Sequence, residues 1–249
     1  MLARLYSIGW LLLMALIPGA ALGQSTPEPQ ALIDQWLRAQ HDQIRALAFI
    51  ELRQEATWTV DGPYGAQSTR WTAHLSAVPG EGLTDYEVES VDVNGRDVPP
   101  EHWRQMAQRR FRMLGPALRP HVQGLPRATR LLRSLRPVSS ARLDTTTAVP
   151  TWRIDAVTRA PHPRLDRVTL WFDQSTDRLH RSRLLMRLHP TGPPAIVTTR
   201  YRPVDGLDVP THRRIEGSAR TQRRLRTFTV LFTYEATFGE YVIEYRDDR

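Results

Sequence analysis

Proton transfer and metal ligation would fall first to the eight histidines, at 41, 74, 102, 121, 162, 180, 189 and 212. No two of them stand three or four residues apart, the spacing that sets two rings on one helix face. They read as isolated strand or surface histidines. DVNGRD, residues 92–97, has the oxygen-rich composition of a calcium loop, yet its glycine comes too early and the closing glutamate is absent. A strand-ending Asn-Gly turn accounts for it. The chain has no G-x-S-x-G elbow, H-E-x-x-H pair, phosphate loop or dinucleotide fingerprint. It has no cysteine either, which removes thiol catalysis, thiolate metal sites and a lipid-modified cysteine. The expectation is a protein without catalysis, cofactor or metal.

Arginine is the other reactive type in quantity. All 34 basic residues are arginine, and the formal net charge is +8. Lysine is missing along the whole chain, so its absence follows genome composition and not one site. Between Glu101 and Arg142 ten arginines face a single acid, so the excess cannot be neutralised within the segment. Arg109, Arg110, Arg112, Arg127, Arg130, Arg133 and Arg136 are the candidates for docking on anionic headgroups or an acidic protein, because guanidinium pairs bidentately with phosphate and carboxylate. A solvated helix face is the plainer use of the same charges. Nucleic acid is not an expected partner, since no binding motif accompanies the charge.

A third candidate is apolar. Trp152, Ile154, Leu170, Phe172, Leu184, Met186, Phe228, Val230, Phe232 and Tyr234 alternate with Arg153, Asp155, Thr169, Arg187, Thr229 and Thr233. A period of two places the first set on one face of a sheet. Most of that face must be core, but a trough left partly unfilled would accept acyl chains. Each buried methylene is worth about 0.8 kcal/mol.

The elements that must position these residues follow from period and punctuation. Apolar residues at 32, 33, 36, 37, 44 and 47 draw one stripe of an amphipathic helix over residues 28–47. From Phe49 the period changes to two, giving strands at 49–60, 68–78 and 84–93 with loops DGPYGAQ and PGEG between them. Pro99-Pro100-Glu101 opens a basic helical insert over about 99–137, broken at Gly115-Pro116. After Val149, strands with short turns continue to the end. Among them Asp205-Gly206 forms a tight hairpin turn, with Pro203 and Pro210 just outside the paired cores. GEYVIEYRD is a separate last strand. So regular a succession implies an antiparallel meander that curls and needs its inner face covered.

The N-terminus sets the compartment. Arg4 is followed by an apolar run and by Ala21-Leu22-Gly23, the pattern of a signal peptide over residues 1–23 cleaved before Gln24. A retained anchor is the alternative, because the run approaches the roughly 20 residues that span a bilayer. Residues 24–249 then form one exported domain, large enough to stand on its own core.

Two segments carry a resemblance. TLWFDQSTDRLHRSRL, residues 169–184, is an aromatic strand ending in aspartate, a polar turn, and a strand opening with Leu179. In residues 200–217, Tyr201, Asp205-Gly206 and Pro210 form a Y…DG…P pattern. With the order helix, strands, insert, strands, the chain resembles the periplasmic lipoprotein carrier superfamily of LolA-like and LolB-like proteins. The resemblance implies an α+β fold: an incomplete, strongly curved antiparallel β-barrel of about 10–11 strands, its concave face covered by helices. It also implies a bacterial periplasmic carrier or chaperone that binds acyl chains of lipoproteins or lipids during outer-membrane lipoprotein sorting. The other reading is an envelope regulatory or structural module that binds an acidic membrane-associated partner without an enclosed ligand. No residue corresponds to the arginine latch of the superfamily's carriers.

Overall fold

The structure, a computed structural model, describes residues 26–78, 82–99, 101–102, 134–160, 165–187, 193–223 and 226–246. Its one helix of more than a turn among these, α1 (Pro29–Ala46), begins with proline in the first turn, where a missing N–H costs nothing. The carboxylate of Glu28 caps it, accepting from the backbone N–H of Gln30 at 3.1 Å and from that of Ala31. Leu32, Ile33, Trp36, Leu37 and Gln40 form its buried stripe.

Among the described residues twelve strands make one antiparallel sheet: β1 (Leu47–Gly62), β2 (Gly65–Val78), β3 (Gly82–Val93), β4 (Arg96–Asp97), β5 (Leu135–Pro137), β6 (Arg142–Asp144), β7 (Thr151–Thr158), β8 (Leu165–Asp173), β9 (Leu179–Arg187), β10 (Pro194–Val204), β11 (Leu207–Arg223) and β12 (Arg226–Tyr245). Their order is β4-β3-β2-β1-β12-β11-β10-β9-β8-β7-β5, with β6 also on β7. The first long strand therefore pairs with the last, and among the described residues the edges are β4 on one side and β5 with β6 on the other. The sheet is curved and does not close.

Several boundaries differ from those the sequence predicts. The β1–β2 loop shrinks to Pro63-Tyr64, because pairing continues to Gly62 opposite Gly65. Leu135, expected in the helical insert, starts strand β5; it is fully buried and pairs with Thr158, so edge pairing overrides its helical spacing. Pro203 and Pro210 lie inside the paired strands, not beyond them: Pro203 stands opposite Asp208 and Tyr201 opposite Pro210, with the ladder irregular between Arg200 and Tyr201. Gly217 sits within β11, which runs on to Arg223. GEYVIEYRD continues β12 through a bulge, which Glu240 absorbs at φ 51 while β1 shifts register between Glu51 and Arg53. Asp205 and Gly206 both take positive φ, 46 and 86, as a two-residue hairpin turn requires.

Residues 1–25, carrying the signal-peptide reading, lie outside the described residues, as do 103–133 of the insert. That second stretch lies in the chain between β4 and β5, which are opposite edges of the sheet.

Candidate functional site

One face of the sheet is apolar from β7 round to β2, and α1 packs on it. Trp152 stands opposite Phe172, Ile154 opposite Leu170 and Val168 opposite Leu184. These sit in one cluster with Met186, Phe232 and Tyr234 and with the buried stripe of α1. All ten apolar candidates thus share a face. Ile154, Leu170 and Phe172 are wholly enclosed, while Leu184, Phe228 and Val230 remain partly accessible.

The two aromatic walls, on β7–β9 and β12, are joined by a floor of small residues on β10 and β11. Ala195, Val197, Ile215, Gly217 and Ala219 form it. A Cβ at Gly217 would lie 2.8 Å from Cζ of Phe232 and 2.9 Å from Cβ of Ala195, so the Phe232 ring rests directly over the glycine backbone. Sequence reasoning passed over this floor, although a glycine inside an alternating run signals close approach. It also passed over Trp58 and Trp71, which extend the face onto β1 and β2. Their rings lie 6.5 and 5.9 Å from that of Tyr234. Trp71 donates to the Tyr86 hydroxyl at 2.8 Å, and burial pushes the Tyr86 phenol up to about 12 against that bond. Burial likewise raises the Tyr234 phenol. Nε1 of Trp58 is buried and has no acceptor among the described residues.

One end of this face is latched. The Trp36 ring meets Phe172 edge-on at 6.1 Å, and its Nε1 donates to Oδ2 of Asp208 at 2.7 Å. Oε1 of Gln40 accepts from the Asp208 backbone N–H at 3.0 Å. Arg178 pairs with Oδ1 of the same aspartate at 3.3 Å and donates to the Gly206 carbonyl at 3.0 Å. Burial pushes the Asp208 carboxyl above its ordinary value, opposed by the Trp36 bond and the Arg178 charge. The Asp205-Gly206 hairpin is therefore the seat of the helix; it does more than shape the scaffold. Polar groups join two elements 172 residues apart in sequence, which no local pattern reveals.

At the other end of the strands, Val60, Ala219, Phe228 and Val230 stay partly exposed on the same face. Val60 opposite Phe232 and Ala219 opposite Val230 fix them beside one another. The apolar surface is covered where α1 is latched and accessible away from it.

Of the docking candidates, Arg136 is exposed on edge strand β5; Arg109, Arg110, Arg112, Arg127, Arg130 and Arg133 lie outside the described residues. His74 and His212 contact Glu89 at 2.7 Å and Glu235 at 2.9 Å on the outer face. Among the described residues no helix is long and apolar enough to cross a membrane, and no three His, Asp or Glu side chains converge on a common metal position.

The chain matches no protein-family model and no curated protein sequence. Solved structures similar to it include a LolA superfamily protein from Nitrosomonas europaea, at 10% identity over 89% of this chain and 96% of that one, TM-score 0.41. A DUF1329 family protein from Desulfovibrio piger aligns at 12% identity over 90% and 95%, TM-score 0.38. A domain described as an outer membrane lipoprotein-sorting protein from Vibrio parahaemolyticus aligns at 7% over 85% and 93%, TM-score 0.38.

Proposed function

We propose that the chain is an exported, periplasmic carrier without catalysis, which holds the acyl chains of lipoproteins or lipids against the inner face of its unclosed sheet. The observation that carries this is the accessible apolar end formed by Val60, Ala219, Phe228 and Val230. It continues the buried face without a polar break. An acyl chain entering there loses water at about 0.8 kcal/mol per methylene. The buried N–H of Trp58, which has no acceptor among the described residues, supplies a donor for an ester or amide carbonyl. The helix α1 covers one end of the face. The arginines of the insert bring the carrier to anionic headgroups. Transfer requires only that a better acceptor bind the cargo more tightly.

A second reading is favoured by one fact: Ile154, Leu170 and Phe172 are already fully enclosed. A regulatory module that binds an acidic envelope protein needs no ligand space there. Native mass spectrometry and lipid extraction of detergent-free protein separate the two. Co-purified acyl ligand, lost in Val230→Asp, supports the carrier; its repeated absence in the parent protein rejects it.

A further inference from the structure

The outer face of the sheet carries an arginine row that the inner-face reading does not use. Register places Arg142 opposite Arg153, Arg153 opposite Trp171, Trp171 opposite Arg181, and Arg181 opposite Arg200. At about 4.8 Å per strand the row runs for roughly 19 Å. Trp171 is its plate. The ring is buried, its N–H donates to Asp144 at 2.9 Å, and the Arg181 and Arg153 guanidinium carbons lie 4.8 and 5.8 Å from its centroid. Arg183, two residues along β9, is exposed on the same side.

Several charges elsewhere on this face are matched. Arg53 meets Glu55, Glu89 and Glu240, and Arg214 meets Glu216. Acids beside the row are already engaged: Asp144 by Trp171 and Thr146, Asp155 by Thr169 and Arg153. Among the described residues Arg181, Arg183 and Arg200 have no ion pair. Nε of Arg181 is buried without an acceptor. Like charges set directly across two strands repel. Burial, then the charges of Arg200 and Arg183, depress the Arg181 pKa, so the guanidinium pays for its place on the plate. An external anion relieves the repulsion among these arginines.

We propose that the outer face of β7–β10, through Arg153, Arg181, Arg183 and Arg200, docks the protein on the phosphate layer of an anionic membrane surface. The row is several times longer than one phosphate, so a single small anion leaves most of it unmatched. A protein partner would seek an aromatic or aliphatic core within its interface. Here the one aromatic is buried beneath the charges, and none of the exposed large apolar residues belongs to the row. A headgroup layer requires charge alone. The proposal holds whether or not the inner face carries a ligand.

The test is co-sedimentation of the full chain with phosphatidylcholine vesicles, with and without phosphatidylglycerol, near 0.15 M salt, where screening reaches about 8 Å. The quantity read is the preference for anionic over neutral vesicles, from which apolar insertion cancels. Arg183→Gln/Arg200→Gln removes two exposed charges and is expected to lower that preference about 25-fold, roughly fivefold per arginine. Arg70→Gln/Arg96→Gln removes the same charge from β2 and β4 and is expected to lower it far less. Circular dichroism checks the fold, and exposed Arg153→Gln carries the same comparison if the double variant unfolds. Equal losses in the two double variants overturn the proposal, as does a parent protein with no anionic preference. Displacement by inorganic phosphate at constant ionic strength overturns it in favour of a single-anion site. Displacement by polyglutamate at the same glutamate-to-lipid charge overturns it in favour of an acidic protein.

Discussion

Trp36→Phe separates the two things Trp36 does. The phenyl ring keeps an aromatic contact with Phe172, now 6.1 Å between centroids at 71°, and only the N–H to Asp208 is lost. The Asp208 side chain is 1% exposed, so water does not replace the donor. A hydrogen bond to a charged group is worth about 1.5–3 kcal/mol, and the upper half applies where the acceptor is left buried. The assay is equilibrium urea unfolding of the parent, Trp36→Phe, Asp208→Ala and the double variant, followed by circular dichroism. Once Asp208 is absent, the Trp36 change has little left to remove, so the cycle is expected to show about 1.5 kcal/mol of coupling. A Trp36→Phe loss below about 0.5 kcal/mol, or additivity within that margin, refutes the latch. The pH sign is a second check. The folded carboxyl titrates above its ordinary 3.8, so its contribution is full below that value and declines as pH rises through the folded pKa. Relative to the parent, Asp208→Asn therefore gains stability as pH climbs from about 4.

Other perturbations report on the floor, the walls and the turns. Gly217→Ala drives a methyl to 2.8 Å from Phe232 and 2.9 Å from Ala195, and a thermal melt is expected to show a loss of about 1–3 kcal/mol. Leu170→Ala empties a site that is 0% exposed, for an expected loss of about 2–5 kcal/mol in urea unfolding. Asp173 has the opposite pH sign to Asp208. Burial would raise its carboxyl, but bonds from Ser175 and Thr176 outweigh it and hold the carboxyl low. Its contribution is present above about 3.8 and is lost as pH falls through the folded value. Melting temperature against pH is expected to fall less steeply on the acid side in Asp173→Asn.

The candidate site was half legible. Alternation on β7, β8, β9 and β12 marked the ten apolar residues as one face, because a period of two needs no knowledge of which strand pairs with which. The floor was not legible, since Ala195 and Gly217 carry no strong signal until Phe232 is laid across them. Strand ends misled where a glycine or proline was taken as a stop. Pro210 is held inside β11 by Tyr201 of β10, and Gly217 by Phe232 of β12, pairings that compensate for weak local preference. GEYVIEYRD lost its separate identity for a similar reason: β1 pairs along β12 from Leu231 to Tyr245, and a bulge at Glu240 costs less than breaking that ladder.

By itself the sequence determined the helix, the two-faced strands and the Asp205-Gly206 and Asn94-Gly95 turns, all of which depend on residues a few positions apart. Tertiary structure decided which edges stay free, that α1 is seated on Asp208, and that Arg153, Arg181 and Arg200 line up across Trp171. Those facts are set by register between distant strands, and register is fixed by the packing of the whole inner face.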